Sequence, residues 1–157
     1  WRPKYQTIKQ KMKETILKSE NPMTIIAIGP LTNIAILLST YPEVTDYIKE
    51  IVLMGGSTGR GNVTPLAEFN IYCDPEAAHI VFNAGLPLTM IGLDLARQSL
   101  FTHSYLDTLK DKNNTTQMLY HIFQHYLGED FKEGIKLYDA FQLRVTLQYF
   151  EDSYHDL

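Results

Sequence analysis

The feature that most constrains the fold is an uncharged stretch at residues 21–42. It is long enough to cross a bilayer, but Gly29 and Pro30 interrupt it and Thr, Asn and Ser residues are spread along it. A buried strand, a turn and a buried helix explain this pattern better than a membrane span. We therefore predict a strand at residues 23–28, buried on both faces, and a helix at residues 31–38.

The same alternation continues along the chain. Residues 50–54 (EIVLM) and 86–92 (LPLTMIG) predict two more strands, residues 69–73 read as extended, and Asp74 is placed to cap a helix through residue 83. Strands that alternate with helices predict an α/β fold with a doubly wound, mostly parallel (mixed) sheet, as one domain over residues 1–157. Further helical segments are predicted at residues 4–19, 44–47 (after a break at residues 41–43), 105–110, 116–127 and 139–149.

Charge and cysteine content restrict the partners of the chain. The net charge of −4 and the pI of about 5.7 argue against a nucleic-acid or anionic-membrane partner. The single cysteine, Cys73, suits a reducing compartment, and residues 1–14 are polar and basic, unlike a signal peptide. We expect a cytoplasmic protein.

Two patterns invite site predictions that their chemistry does not support. The stretch GGSTGRGN at residues 55–62 lacks the Lys-Ser/Thr of a phosphate loop, which favours a flexible loop or a loop that closes over a small ligand. His121 and His125 lie four residues apart on a predicted helix, but no H-E-x-x-H arrangement surrounds them. An ordinary helix face is the better interpretation, and His103 is expected at the surface.

Two other groups of polar side chains leave two interpretations open. Glu68 and Asn70 would point to one side of an extended chain, either as a solvated edge or, together with Asn62, as hydrogen-bonding groups for a polyhydroxylated ligand such as a sugar. Asp139 is either a helix N-cap or a carboxylate ligand for a hard cation.

Five motifs, taken together, resemble one family. They are IGPLTNIA (residues 28–35), VLMGG (52–56), GNVTPLAEFNIYCDPEAAHIVF (61–82), GLDLA (92–96) and YDA (138–140). The chain is similar, over about residues 23–149, to the inosine–uridine-preferring nucleoside hydrolases. The third motif is long, ungapped and specific.

The resemblance implies an activity and a set of site residues. The family has a mixed-sheet α/β fold, hydrolyses the N-glycosidic bond of ribonucleosides to ribose and free base, holds one Ca²⁺ ion, and commonly forms oligomers. By resemblance, Asp139 binds Ca²⁺ through its carboxylate and Ile28 through its main-chain carbonyl. Asn62, Glu68 and Asn70 would bind the ribose hydroxyls, Met54 and Phe69 would line the pocket, and Tyr138 is a candidate contact for the leaving base.

Two departures from the family pattern shape these expectations. The N-terminal D-x-D-x-x-x-D-D cluster is not found, so we expect an incomplete domain, a middle-to-late portion of a longer enzyme. Such a chain alone should bind Ca²⁺ weakly and hydrolyse nucleosides poorly. Tyr138 stands where many members have a histidine, and a phenol is a weaker proton donor at neutral pH.

Two alternatives to the enzyme remain. One is a non-catalytic ribose- or nucleoside-binding or assembly module, and the other is a structural remnant without a ligand. Sheet edges left open by missing strands would favour a homo-oligomer.

Overall fold

The computed structural model describes residues 2–98, 100–110, 112–127, 135–136 and 139. In chain order, the helices and strands are α1 (Arg2–Lys18), β1 (Met23–Ala27), α2 (Thr32–Thr40), a 3₁₀ helix (Pro42–Tyr47), β2 (Ile48–Met54), α3 (Phe69–Cys73), α4 (Pro75–Phe82), β3 (Leu88–Ile91), α5 (Leu93–Ala96), β4 (Leu100–Phe101), α6 (His103–Asp107), α7 (Asn114–Leu127) and β5 (Ile135–Lys136).

The predicted parallel sheet is present. Its three strands lie in the order β1-β2-β3, with Ile25 beside Ile51 and Val52 beside Thr89, and both pairings are parallel. A separate antiparallel pair joins β4 to β5. The α/β class with a parallel sheet is thereby confirmed.

A continuous apolar core holds the helices against the sheet. Helix α2 packs against α4 and α1, and the central strand β2 is buried at every position except Lys49. The most enclosed side chains of this core come from α2, the 3₁₀ helix, β2 and α4 and include Leu37, Val44, Ile51, Leu53 and Val81. Burial of a side chain of this size contributes about 1.5–3 kcal/mol each to folding, which fixes the sheet that carries the site.

Strand β1 is less buried than the sequence suggests. Ile26 is 37% exposed and Ile28, just after the strand, is 49% exposed. Among the described strands, β1 pairs with β2 alone, so it is an outer strand of the described sheet. The prediction of burial on both faces is therefore wrong for this strand, because β1 lies at the border of the described sheet.

Residues 69–73 form helix α3, so the prediction of an extended segment is wrong. The helix begins because the Glu68 carboxylate accepts hydrogen bonds from the backbone N–H groups of Asn70 and Ile71. It ends at Asp74, whose carboxylate accepts the Ala77 N–H at 3.0 Å and starts α4, as predicted. Glu68 and Asn70 are buried, which excludes the solvated-edge interpretation.

Of the remaining sequence predictions, some fall within the described residues and others fall outside them. His121 and His125 are exposed on α7. Tyr138 and the predicted helix at residues 139–149 lie outside the described residues, apart from Asp139. Among the described residues, no helix is both long and apolar enough to cross a membrane.

Candidate functional site

A cavity of about 460 Å³ opens beyond the carboxyl ends of β1 and β2. This is the edge at which open α/β sheets bind ligands, because the loops that follow parallel strands meet there. Seven of the eight residues predicted from the sequence line it, together with Gly29 and Pro30. The seven are Ile28, Met54, Asn62, Glu68, Phe69, Asn70 and Asp139. Their convergence is a geometric fact, whereas their roles toward a ligand stay predictions.

Glu68 is the most enclosed polar group of the cavity, at 3% exposure. Its Oε2 atom accepts hydrogen bonds from the backbone N–H groups of Gly56 at 2.9 Å, Asn70 at 2.9 Å and Ile71 at 3.2 Å. These contacts join the loop after β2 to the first turn of α3 and compensate the burial of a carboxylate. Within the described part of the chain no donor contacts Oε1, which leaves an acceptor for a ligand.

Asn70 is similarly fixed at one end. Its Nδ2 atom donates to the Met54 carbonyl at 2.9 Å and lies 3.5 Å from the Met54 sulfur, and the residue is 9% exposed. The amide thus attaches α3 to the last residue of β2. No described group donates to Oδ1, so a second acceptor remains beside Glu68.

Asn62 lines the same cavity and belongs to the glycine-rich loop, residues 55–67, between β2 and α3. Its Oδ1 atom accepts the Phe69 backbone N–H at 3.0 Å, and its own backbone N–H donates to the Ala67 carbonyl at 3.1 Å. The Nδ2 group has no acceptor among the described residues and can donate to a ligand. Phe69 is half exposed and lines the cavity beside it.

Asp139 brings a second carboxylate to the cavity. Although the residue is largely exposed, partial burial raises the pKa of its carboxyl above the ordinary 3.8, and the negative charge of Glu68 raises it further. A carboxyl group whose ionisation is opposed by burial and by a neighbouring negative charge favours a cation beside it.

The donor chemistry of this end of the cavity fits a hard cation. Carboxylate oxygens of Asp139 and Glu68 and the backbone of Ile28 are the ligand types that Ca²⁺ prefers. Ca²⁺ takes about six to eight oxygens, and the described residues contain no cluster of three or more acidic, histidine or cysteine side chains. The ligand types therefore fit, and the described ligands are too few to complete the shell.

The glycine-rich loop carries its own backbone hydrogen bonds. Between Gly61 and Ala67 it folds back on itself, since the N–H groups of Gly61 and Asn62 donate to the Pro65 and Ala67 carbonyls at 3.0 and 3.1 Å. A Cβ atom on Gly61 would lie 2.5 Å or less from the Ala67 backbone and the Thr64 carbonyl oxygen, so only glycine fits.

Sequence reasoning missed two residues that hold this loop, Asp94 and Arg97. Asp94 accepts the Thr58 backbone N–H at 2.6 Å, and Arg97 donates to the Gly61 carbonyl at 2.9 Å. The one available signal was the position of Asp94 directly after a predicted strand, at the same edge of the sheet.

Comparison with protein families identifies the same relationship as the motifs. The family model described as "Inosine-uridine preferring nucleoside hydrolase" matches residues 2–154. A curated protein named non-specific ribonucleoside hydrolase RihC, from Escherichia coli (strain SMS-3-5 / SECEC), is 48% identical over 128 residues, covering 82% of this chain and 42% of the relative. The protein of the same name from Shigella boydii is 48% identical over 137 residues, covering 87% and 45%.

Solved structures agree with the sequence relatives. A purine-preferring ribonucleoside hydrolase from Gardnerella vaginalis superimposes with a TM-score of 0.79 at 34% identity, over 88% of this chain and 46% of that one. An inosine-uridine preferring nucleoside hydrolase from Bacillus anthracis gives 0.63 at 29% identity, over 77% and 40%.

These matches are extensive in this chain and partial in its relatives. The chain spans less than half the length of these curated relatives. The family model covers every residue that lines the described cavity, Asp139 included. The fold, the motifs and the family match agree. The chain belongs to the inosine-uridine preferring nucleoside hydrolase family.

Proposed function

We propose that the protein carrying this chain hydrolyses the N-glycosidic bond of ribonucleosides and releases ribose and the free base. The observation that carries the proposal is the convergence of Asn62, Glu68, Asn70 and Asp139 on one cavity. A volume of about 460 Å³ is in the range of small-molecule sites and suits a nucleoside. The names of the relatives, which are ribonucleoside hydrolases, support the same activity.

The three polar side chains are suited to bind a ribose. Each has one atom tied to the backbone, and the other is left for a ligand: Oε1 of Glu68 and Oδ1 of Asn70 accept, and Nδ2 of Asn62 donates. A ribose hydroxyl can both donate and accept, so a 2′,3′-diol matches this set. Because the groups are already fixed, binding needs little reordering of them.

The same geometry supports the chemical step. Cleavage of the glycosidic bond develops positive charge on the sugar ring, as in an oxocarbenium ion. The fixed negative charge of Glu68 beside the ribose stabilises that charge without reorganisation. Met54 and Phe69 give the ring an apolar wall, which strengthens this electrostatic contribution.

Asp139, through its carboxylate, and Ile28, through its carbonyl, would hold Ca²⁺ at the cavity. When bound, the ion supplies a Lewis acid that orders the ribose hydroxyls and lowers the pKa of a water molecule. Since the described ligands are too few, the isolated chain should bind Ca²⁺ weakly and turn over slowly. Tyr138 is proposed to contact the leaving base.

The cellular setting is proposed on simpler grounds. A single free cysteine suits the reducing cytoplasm. The outer position of β1 in the described sheet supports assembly into a homo-oligomer. A ribonucleoside is the proposed partner, and the charge of −4 disfavours nucleic acid.

The test measures release of free ribose from inosine and from uridine, with added CaCl₂ or with a chelator, in the protein at its natural length. Glu68→Gln keeps the shape of the side chain and removes the charge, and we expect it to lower kcat/KM by about 100-fold or more. Glu76→Gln, an exposed carboxylate in the first turn of α4, is the matched control and should leave kcat/KM unchanged.

Two results would contradict the proposal. One is ribose release that is unchanged, relative to the unsubstituted protein in CaCl₂, both in Glu68→Gln and in the presence of the chelator. The other is binding of ribose without any hydrolysis, which would support the non-catalytic module instead.

A further inference from the structure

Helix α5 lies outside the cavity and is rigidly attached to the core. It follows β3 directly, and its residues Leu93 and Ala96 are fully enclosed, at 0% exposure. The Leu93 backbone N–H donates to the Gly56 carbonyl at 2.9 Å. This hydrogen bond connects the start of the helix to the second residue after β2. A helix fixed in this way offers a firm support for any group that contacts it.

The first polar side chain of α5 contacts the glycine-rich loop. Asp94 Oδ2 accepts the Thr58 backbone N–H at 2.6 Å and the Thr58 hydroxyl at 3.0 Å, and the Ser57 hydroxyl lies 3.1 Å away. The same Ser57 oxygen accepts the Gly59 N–H at 3.2 Å. The carboxylate therefore organises a complete turn through a charged acceptor, which forms stronger hydrogen bonds than a neutral one.

A second side chain holds the other end of the loop. Arg97, the residue that ends α5, donates from Nη2 to the Gly61 carbonyl at 2.9 Å and is partly buried. Asp94, in α5, and Arg97, directly after it, thus hold the loop by hydrogen bonds at residues 58 and 61. The next residue is Asn62, whose side chain accepts the Phe69 N–H at the cavity.

We propose that Asp94 and Arg97 are positioning residues, which act through Asn62 and place its free amide for a ligand hydroxyl. Neither residue is among those that line the cavity. The inference rests on the proposed function in taking that hydroxyl to belong to a ribose. It assigns a task to Asp94 of GLDLA and to residues 57–61 of GGSTGRGN, which the proposed reaction does not otherwise use.

The physical reason is the entropy of the loop. A loop free to sample many conformations would place Asn62 correctly only part of the time, and ligand binding would have to order it. With the loop held in advance, Asn62 contributes to binding without that loss. An error of about 1 Å in a positioned group can lower a rate by about 100-fold.

A double-mutant cycle tests whether Asp94 acts through Asn62. The variants are Asp94→Asn, Asn62→Ala and the double variant, in the protein at its natural length. Kd for ribose is measured by calorimetry, and KM and kcat are measured with inosine. We expect Asp94→Asn to raise Kd by about 10-fold in the natural background and by less than about 2-fold in the Asn62→Ala background. Glu76→Gln is the control.

Amide hydrogen exchange of residues 57–62 supplies a readout that does not depend on the ligand. Exchange in this segment should be faster in Asp94→Asn and in Arg97→Gln, whereas Arg97→Lys should restore part of the protection. Thr58→Val removes only the hydroxyl contact to Asp94 and should change exchange and Kd in the same direction, even if Asp94→Asn folds poorly.

The outcomes separate the inference from the proposed function. Unchanged exchange in Asp94→Asn, or additive effects of Asp94→Asn and Asn62→Ala on Kd, would overturn the positioning role. A different result is faster exchange in Asp94→Asn while the unsubstituted protein neither binds ribose nor hydrolyses inosine. That result would support the hold of Asp94 and Arg97 on the loop and refute a nucleoside as the ligand.

Discussion

At the scale of single residues, Glu68 combines a structural and a proposed chemical task. One carboxylate oxygen, Oε2, accepts hydrogen bonds from three backbone N–H groups, and the other, Oε1, is left to accept a hydrogen bond from a ligand. Burial of a carboxylate at 3% exposure is tolerable only because those donors compensate the lost hydration. The residue that would bind the sugar is thus also the residue that starts α3.

The structural task of Glu68 predicts a loss of stability on truncation. Glu68→Ala leaves the N–H groups of Gly56, Asn70 and Ile71 without their acceptor and should lower the free energy of unfolding by about 2–4 kcal/mol. Glu68→Gln retains an acceptor oxygen and should lose roughly half of that or less. Urea denaturation measures both. Equal losses for the two variants would contradict the capping role, and Glu76→Ala is the exposed control.

Substitution of Asp139 is expected to change stability in the opposite direction from substitution of Glu68. Because burial and the charge of Glu68 raise the pKa of Asp139, its contribution to stability is present below its ordinary pKa and is lost as pH rises through the raised value. Without a cation, Asp139→Asn should therefore raise Tm at pH 7 and leave it unchanged at pH 3. The gain should be below about 1 kcal/mol, since the group is largely exposed.

Thermal melts at the two pH values, in a chelator, measure this effect, with Asp107→Asn as an exposed control on α6. Added CaCl₂ should stabilise the natural protein more than Asp139→Asn. A gain in Tm that is the same at pH 3 and pH 7 would show that the charge of Asp139 is not its cause.

At the scale of elements, the helices are joined to each other by capping side chains. The Thr32 hydroxyl, in the first turn of α2, donates to the Asp74 carboxylate, which also caps α4 through the Ala77 N–H. One residue therefore starts α4 and connects it to α2, the two helices whose packing supplies much of the core. The position of the cavity depends on this core, because α3 ends at the same Asp74.

This connection predicts a pH-dependent stability. The hydrogen bonds from Thr32 and then from the Ala77 N–H hold the pKa of Asp74 below its ordinary 3.8. A lowered pKa means that the stabilisation is present above that ordinary value and is lost as pH falls through the lowered one. Asp74→Ala should therefore lower Tm by a few degrees at pH 7 and by much less at pH 2.

Thr32→Val removes the hydroxyl donor without removing the N-cap and should give a smaller loss with the same pH dependence. Glu76→Ala, in the first turn of the same helix, serves as the control. A loss that does not change between pH 7 and pH 2 would show that the ionised carboxylate is not what stabilises the two helices.

At the scale of the whole molecule, the described sheet ends at β1. Among the described strands β1 pairs with β2 alone, and Ile26 on the same strand is 37% exposed. An open edge with exposed apolar side chains favours pairing with another strand.

We therefore predict concentration-dependent self-association of the chain of residues 1–157. Ile26→Lys places a charge on the edge strand and should shift the sedimentation profile toward the monomer. Ile80→Lys, at an exposed position on α4, is the matched control and should not. A monomer at all concentrations, or an equal shift in both variants, would contradict association through β1.

Local chemistry in the sequence determined the alternation of β1, α2, β2, α4 and β3, the Asp74 cap and the family, because each depends on residues a few positions apart. The sequence motifs also named seven residues that line one cavity. Tertiary structure decided the rest. Residues 69–73 are a helix because Glu68, fixed by the distant Gly56 N–H, caps them, and β1 is exposed because it lies at the border of the described sheet. The clamp of Asp94 and Arg97 on the loop joins segments more than thirty residues apart, beyond the reach of any local pattern.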